Sequence, residues 1–196
     1  MRLPRRSVVF EEGQHASSVF FVCGGQLKLS TTSKDARTMI VRLAGSGDML
    51  GLSAMLNNLA HEVTAETIEP TQLKSVPKQE FLEFLDMFSE VGKKAAETLA
   101  REYRAVFLDA RRLALSGSAA GRLAQLLIEW AHTAACGKPE LRFTMVLTHE
   151  ELASMAGTSR ETVTRLLNQF ERDRLIVRRG SSLTIVNPAD LSELAQ

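Results

Sequence analysis

Residues 147–186 read LTHEELASMAGTSRETVTRLLNQFERDRLIVRRGSSLTIV, and the fold turns on how this stretch divides. Thr148 and Glu151 form a Thr-x-x-Glu capping box, which opens a helix through about Ala156. Gly157 ends that helix, and Thr158 or Ser159 caps a second one running to about Asp173. Two short helices joined by a glycine-containing turn make a helix-turn-helix. Beyond them, Leu175-Ile176-Val177 and Leu183-Thr184-Ile185-Val186 flank Gly180-Ser181-Ser182, which predicts a β-hairpin wing.

The second helix divides by face. At about 100° per residue, Val163, Leu166, Leu167 and Phe170 fall on one side, and Arg160, Glu161, Thr164 and Arg165 on the other. The apolar side must pack on its own domain, so the charged side is presented outward. Arginine donates two hydrogen bonds to guanine O6 and N7, and glutamate accepts from cytosine N4. Arg160, Glu161 and Arg165 are therefore the expected readers of base edges in double-stranded DNA. From Arg160 to Arg179 there are six arginines and three acids, and Arg178 and Arg179 on the wing are placed to touch phosphates.

Working back towards the N-terminus, Arg142 to Val146 predicts a short strand, and Ala119 to about His132 a helix capped by Ser118. Ser116-Gly117-Ser118 reads as a linker. Before it, Ser89 to Leu115 contains no proline and only Gly92 as a breaker, which predicts one long helix. Its apolar positions Val91, Ala95, Leu99, Val106 and Leu113 fit either a core helix of one chain or the seam of a homodimer. Tyr103 and Phe107 widen the stripe beyond a strict coiled coil, so spacing leaves both open. Phe81, Leu82, Phe84 and Leu85 suit a shorter helix. From Val8 to about Lys78 come short strands: 19–23, 27–31, 39–43, 63–68 and 73–76, broken at Gly24-Gly25 and at Gly45-Ser46-Gly47-Asp48. These predict a small antiparallel barrel or sandwich. The expected division is an α+β chain with a β domain over 1–88, a dimerisation helix over 89–115 and a DNA-binding domain over 116–196.

The 196 residues are 44% hydrophobic and 24% charged with a net charge of +1, which fits a globular chain and excludes a disordered acidic or basic one. No apolar run approaches the roughly 18 residues of a membrane span, and Ser7 to Phe10 is too short for a signal-peptide core. Cys23 and Cys136 lie too far apart for a metal-ligand pair or a disulfide framework and are expected to be small buried thiols. The expected compartment is the cytoplasm. His15, His61, His132 and His149 are scattered, and no nucleophile motif or phosphate-binding glycine loop occurs, so neither a metal site nor an enzyme is expected.

With these elements in place, the chain resembles the CRP/FNR family of bacterial regulators over nearly its whole length. Ala153, Gly157, Val163 and Leu166 stand where that family keeps small, turning or apolar residues, and Ser159-Arg160-Glu161-Thr162-Val163 with Arg165 looks like the recognition helix of its catabolite-activator branch. Glu12-Gly13, Gly24-Gly25 and Gly47-Asp48 match its β-roll in order. The resemblance implies an N-terminal β-roll (jelly roll), a long dimerisation helix and a C-terminal winged helix-turn-helix. It also implies a homodimer reading TGTGA-like half-sites through Arg160, Glu161 and Arg165, with Thr148, Thr158, Ser159 and Thr162 at phosphates and RNA polymerase as a further partner. Relatives usually carry a helix and a strand before the equivalent of Val8.

The effector pocket implied by the resemblance comprises Gly51, Leu52, Ser53, His61 and Glu62. Nucleotide-binding members carry Gly-Glu-Leu where this chain has Gly51-Leu52-Ser53, and an Arg-Ser or Arg-Thr pair where it has Ala60-His61-Glu62-Val63-Thr64. A phosphate there would lack a cation and lie beside an acid, so cyclic AMP is not the expected ligand, and the effector stays unidentified. Two cysteines cannot supply the four that the family's iron–sulfur sensors need, and haem is not expected either. The alternative is a cyclic-nucleotide-binding-like module signalling through protein contacts without DNA. The altered pocket and the Arg160–Arg165 face both weigh against it.

Overall fold

The computed structural model describes residues 1–35, 38–115, 118–135 and 141–194, and within them every side chain outside 109–115 and 133–135. Its contacts divide the chain into two compact units, Met1–Leu108 and Asp109–Gln196. The expected linker at Ser116-Gly117 lies outside the described residues, as does Cys136.

The first unit opens with β1 (Arg2–Leu3), β2 (Val8–Phe10), β3 (Ser18–Gly24), β4 (Gln26–Thr32), β5 (Thr38–Gly45) and β6 (Met49–Leu50). A short α1 (Leu52–Leu56) precedes β7 (Thr64–Thr67), β8 (Thr71–Pro77), α2 (Lys78–Met87) and α3 (Ser89–Leu115). The strands form two antiparallel four-stranded sheets, ordered β1-β8-β3-β6 and β2-β7-β4-β5. The register follows the alternation of the sequence. On β4, Leu27 and Leu29 point inward opposite Ala44 and Arg42 of β5 and Thr67 and Ala65 of β7. Phe10, Val22, Leu27, Leu29, Ala44, Leu50, Ala65 and Leu73 close one core cluster between the sheets.

A second cluster forms where Val19, Met49, Leu52, Met55 and Phe81 meet Ala95 of α3, with Val91 and Leu99 packed beside it. This corrects the seam drawn from spacing. Ala95 is buried within its own chain, and Val91 and Leu99 are covered in part by the β domain. Apolar spacing marks a stripe but not what covers it, and α3 carries a second one: Tyr103, Val106, Phe107 and Leu108 are exposed. The side chain of Leu113 falls outside those described. Cys23 is also corrected. It is exposed, because Val22 takes the inward position on β3 and the pleat turns the next residue out.

The second unit holds α4 (Ala119–Ala135), β9 (Arg142–Thr144), α5 (His149–Ala156), α6 (Arg160–Arg172), β10 (Ile176–Arg179), β11 (Ser182–Ile185) and α7 (Pro188–Glu193). The strands make a sheet ordered β10-β11-β9, so the wing is a hairpin extended by a third strand. Leu123, Leu126 and Leu127 of α4, Leu152 of α5, Leu167 and Phe170 of α6 and Leu183 of β11 are almost fully buried. No helix among the described residues is long and apolar enough to cross a membrane.

Candidate nucleic-acid interface and effector pocket

The two helices of the motif are set by the capping residues that the sequence announces. Thr148 accepts a hydrogen bond from the Glu151 amide at 3.2 Å, and Glu151 Oε2 accepts one from the Thr148 amide at 2.9 Å, closing the capping box on α5. Gly157 ends α5 at φ 59° and ψ 45°, in the left-handed region where a Cβ is strained. Ser159 then caps α6 by accepting from the Thr162 amide at 3.2 Å. Arg122 of α4 secures the junction by donating to the carbonyls of Ala156 at 2.6 Å and Gly157 at 3.2 Å. These bonds satisfy orphan carbonyls at the C-terminus of α5 and fix the turn from which α6 departs.

On α6, Val163, Leu166, Leu167 and Phe170 are 0–7% exposed, while Arg160, Glu161 and Arg165 are exposed. The outer face is an open hollow of about 850 Å³ lined by Arg160, Glu161, Thr164, Arg165, Asn168, Glu171 and Arg172. The three expected base readers therefore share one solvent-facing surface. Among the expected backbone contacts, Thr148 and Ser159 are exposed, and Thr158 and Thr162 are half-buried. The hydroxyls of Ser159 and Thr162 lie 3.1 Å apart.

The two wing arginines differ. Arg179 is exposed beside the Gly180-Ser181 turn. Arg178 turns back on α6 and donates to Glu171 Oε2 at 2.6 Å and Asn168 Oδ1 at 2.7 Å, while its amide donates to Glu171 Oε1 at 3.0 Å. These bonds hold the Glu171 carboxyl below its ordinary value. Sequence patterning misses this clamp because its members sit seven and ten residues apart on different elements.

His149, Thr164 and Asn168 were also not singled out as site residues. His149 Nδ1 lies 2.8 Å from Thr164 Oγ1, joining the first turn of α5 to the reading face of α6. Burial, with Arg178 and Arg160 nearby, pushes its imidazole below the usual histidine range.

The second site lies in the first unit, a cavity of about 530 Å³ lined by residues that include Phe10, Leu50, Gly51, Leu52, Ser53, His61, Glu62 and Val63, with Glu102 and Val106 of α3. It brings together all five expected pocket residues. His61 is 5% exposed and stacks on Phe10 at 3.9 Å between ring centroids, and burial lowers its pKa, so it acts as an apolar wall. Gly51 has φ 77°, and a Cβ there would lie 2.8 Å from His61 Cε1, so packing accounts for this glycine.

The cavity also contains a cation that the loop sequence did not announce. Arg42 of β5 reaches Asp48 at 3.3 Å and Glu102 at 3.1 Å, with its side chain 17% exposed. Burial pushes the Glu102 carboxyl up against the pull of Arg42. The guanidinium is thus matched by two carboxylates, and Glu62 adds a third acid to the lining. A cyclic phosphate placed here would have to compete with these carboxylates for the Arg42 guanidinium. Among the described residues, no group of three or more His, Cys, Asp or Glu could hold a metal ion.

Comparison with known proteins agrees with both units. Residues 1–88 match the family model of the cyclic nucleotide-binding domain, and residues 121–194 that of the Crp-like helix-turn-helix domain. The cyclic AMP receptor protein of Thermus thermophilus is 27% identical over 190 residues, covering 97% of this chain and 84% of that relative. The transcriptional activator protein Anr of Pseudomonas protegens is 25% identical over 197 residues, covering 98% of this chain and 79% of its own length. The structure of FixK2 from Bradyrhizobium japonicum shares the fold at a TM-score of 0.87 and 21% identity, covering 100% of this chain and 96% of that one. With a β domain of the first kind and a helix-turn-helix of the second in one chain, and relatives aligned along nearly all of it, this protein belongs to the CRP/FNR family of DNA-binding transcription regulators, a family of regulators and not of enzymes.

Proposed function

We propose that the chain acts as a homodimer on an inverted repeat with TGTGA-like half-sites and that it does so without cyclic AMP. The observation that carries this reading is the division of α6, with four apolar residues buried behind it and Arg160, Glu161 and Arg165 free on its outer face. A recognition helix reads bases mainly with its N-terminal residues, which is where these side chains stand. Arg160 and Arg165 supply bidentate donors for guanine, and Glu161 an acceptor for the cytosine amino group. Thr148, Thr158, Ser159, Thr162 and Arg179 anchor the phosphates, and Arg178 braces the wing against α6. The exposed row of Tyr103, Val106, Phe107 and Leu108 supports pairing between two copies through α3.

Independence from cyclic AMP follows from the pocket chemistry. Arg42 is held by Asp48 and Glu102, and among the described residues no second arginine lines the cavity. A signalling module without DNA is not favoured, because the second unit matches a Crp-like helix-turn-helix domain.

The test is an anisotropy titration of a labelled TGTGA-N6-TCACA duplex against a scrambled one at fixed salt, with and without cyclic AMP. The expected result is selective binding to the repeat and superimposable curves in both conditions. Equal affinity for the two duplexes removes the half-site assignment, and a gain on adding cyclic AMP removes the independence.

A further inference from the structure

The contact between α5 and α6 at His149 fixes more than packing. Thr164 Oγ1 has one proton, and that proton is given to the Arg160 carbonyl at 3.0 Å, one helical turn back. The 2.8 Å contact with His149 must therefore be donated by the imidazole Nδ1–H. In the neutral ring this leaves Nε2 as an unprotonated acceptor, and among the described residues it has no partner. The ring is half-exposed at the N-terminal turn of α5, next to Thr148 and behind the face that carries Arg160.

The charges around the ring can be counted. From α6 it faces Arg160, and from β10 Arg178, whose own charge is matched by Glu171. On its own helix the neighbouring acids are Glu150, which is exposed, and Glu151, whose carboxylate closes the capping box with Thr148. Arg122 of α4 binds at the opposite end of α5. Of these charges, Arg178 and Arg160 act on the ring and disfavour an imidazolium unless an anion lies beside it.

Resting on the proposal that α6 reads DNA, we propose that His149 is a positioning residue for the reading helix through Nδ1 and a proton-dependent phosphate contact through Nε2. The Nδ1–H holds Thr164, and through it the first turn of α6, in register with α5. The Nε2 atom, on gaining a proton, donates to a backbone phosphate at the edge of the groove.

The sign of the linkage is set by the two environments. In the free protein, burial and the two arginines keep the imidazole neutral at pH 7. A phosphate beside Nε2 favours the charged form, so the pKa rises in the complex and binding takes up a proton. Affinity is therefore lowest at high pH, climbs as pH falls through the pKa of the complex, and levels off below the pKa of the free protein. Each unit by which DNA raises the pKa is worth about tenfold in affinity per chain.

The experiment measures affinity of the full chain for the duplex from pH 5.5 to 8.5, at several salt concentrations, for the parent, His149→Gln and His149→Lys. Gln keeps a donor of similar reach but does not titrate, and Lys carries a fixed charge. The parent is expected to tighten on acidification, His149→Gln to lose most of that slope, and His149→Lys to give a flat profile. At pH 5.5 the salt dependence of His149→Gln should be shallower by about one unit of slope per chain. A purely structural histidine would change affinity but leave the parent's pH slope in the Gln variant. That outcome overturns the phosphate contact alone. A parent that binds no duplex at either end of the pH range overturns the DNA reading, and this contact with it.

Discussion

Replacing Phe170 with alanine is expected to lower the stability of the DNA-binding unit by about 3–5 kcal/mol, the usual cost of emptying a buried aromatic site. Phe170 is 1% exposed and closes the inner face of α6 behind Val163, Leu166 and Leu167. Its carbonyl also accepts from the Leu175 amide at 2.8 Å, so the chain leaves α6 for the wing around this residue. A cavity here would loosen both the reading helix and the wing. Because small domains are stable by only about 5–15 kcal/mol, the loss is a large fraction of the whole. The single tryptophan, Trp130, lies on α4 with its ring 6.1 Å from Phe143, inside the same unit. Its fluorescence in a denaturant titration reports this unit, and the midpoint should fall sharply. A midpoint within about 0.5 kcal/mol of the parent, the range of an ordinary surface change, would contradict the packing described for α6.

The second large effect is on DNA. Arg165→Ala is expected to weaken binding to the preferred repeat by about 1–3 kcal/mol and to relax discrimination at one base pair of each half-site. Arg179→Ala should weaken binding to all sequences alike and lower the salt slope. The structure gives the two arginines different settings: Arg165 lines the hollow on α6, whereas Arg179 stands at the wing turn. Competition titrations with single-base variants of the duplex separate the two patterns. If both variants lose affinity in the same proportion on every sequence, the division into reader and anchor fails. Neither substitution should move the Trp130 unfolding midpoint, because both side chains are exposed.

Much of this architecture was legible in the sequence, for local reasons. The capping box at Thr148, the glycine at 157 and the serine cap at 159 each specify backbone conformation within a few residues, so both helices of the motif could be placed closely. The apolar run of β3 and the alternation along β4 were equally local. The unannounced elements are β1, β2, β6 and α1, each too short to show a period, and α7. The start of α7 was in fact written in Asn187 and Pro188, since Asn187 accepts from the Asp190 amide at 3.3 Å. Contacts made across long separations were not legible. Arg42 meets Glu102 over 60 residues, so a pocket judged from its loop alone looked free of arginine. Arg178 looked like a phosphate anchor because the acid that engages it belongs to α6. The stripe on α3 was visible, but the burial of Ala95 depends on a sheet assembled from the other end of the domain.

That assembly has a consequence in time. In the first unit, Ser7 is hydrogen-bonded to Thr67 across 60 residues, and β3 pairs along its length with β8. The β4–β5 hairpin can close locally, but β3 waits for β8 and the other edge of β4 waits for β7, and the entropy of closing so long a loop must be met before those contacts form. In the second unit, β10 meets β11 across a two-residue turn and α5 meets α6 across a three-residue one. The chain should therefore fold on two clocks. After dilution from denaturant, Trp130 should report an ordered DNA-binding unit before the strand signal of the β domain in circular dichroism is complete, and coincident kinetics would show that the long-range pairing is not the slow step. During that lag the apolar strands around Val19 and Leu29 offer open edges to other chains, and aggregation competes with folding at that stage.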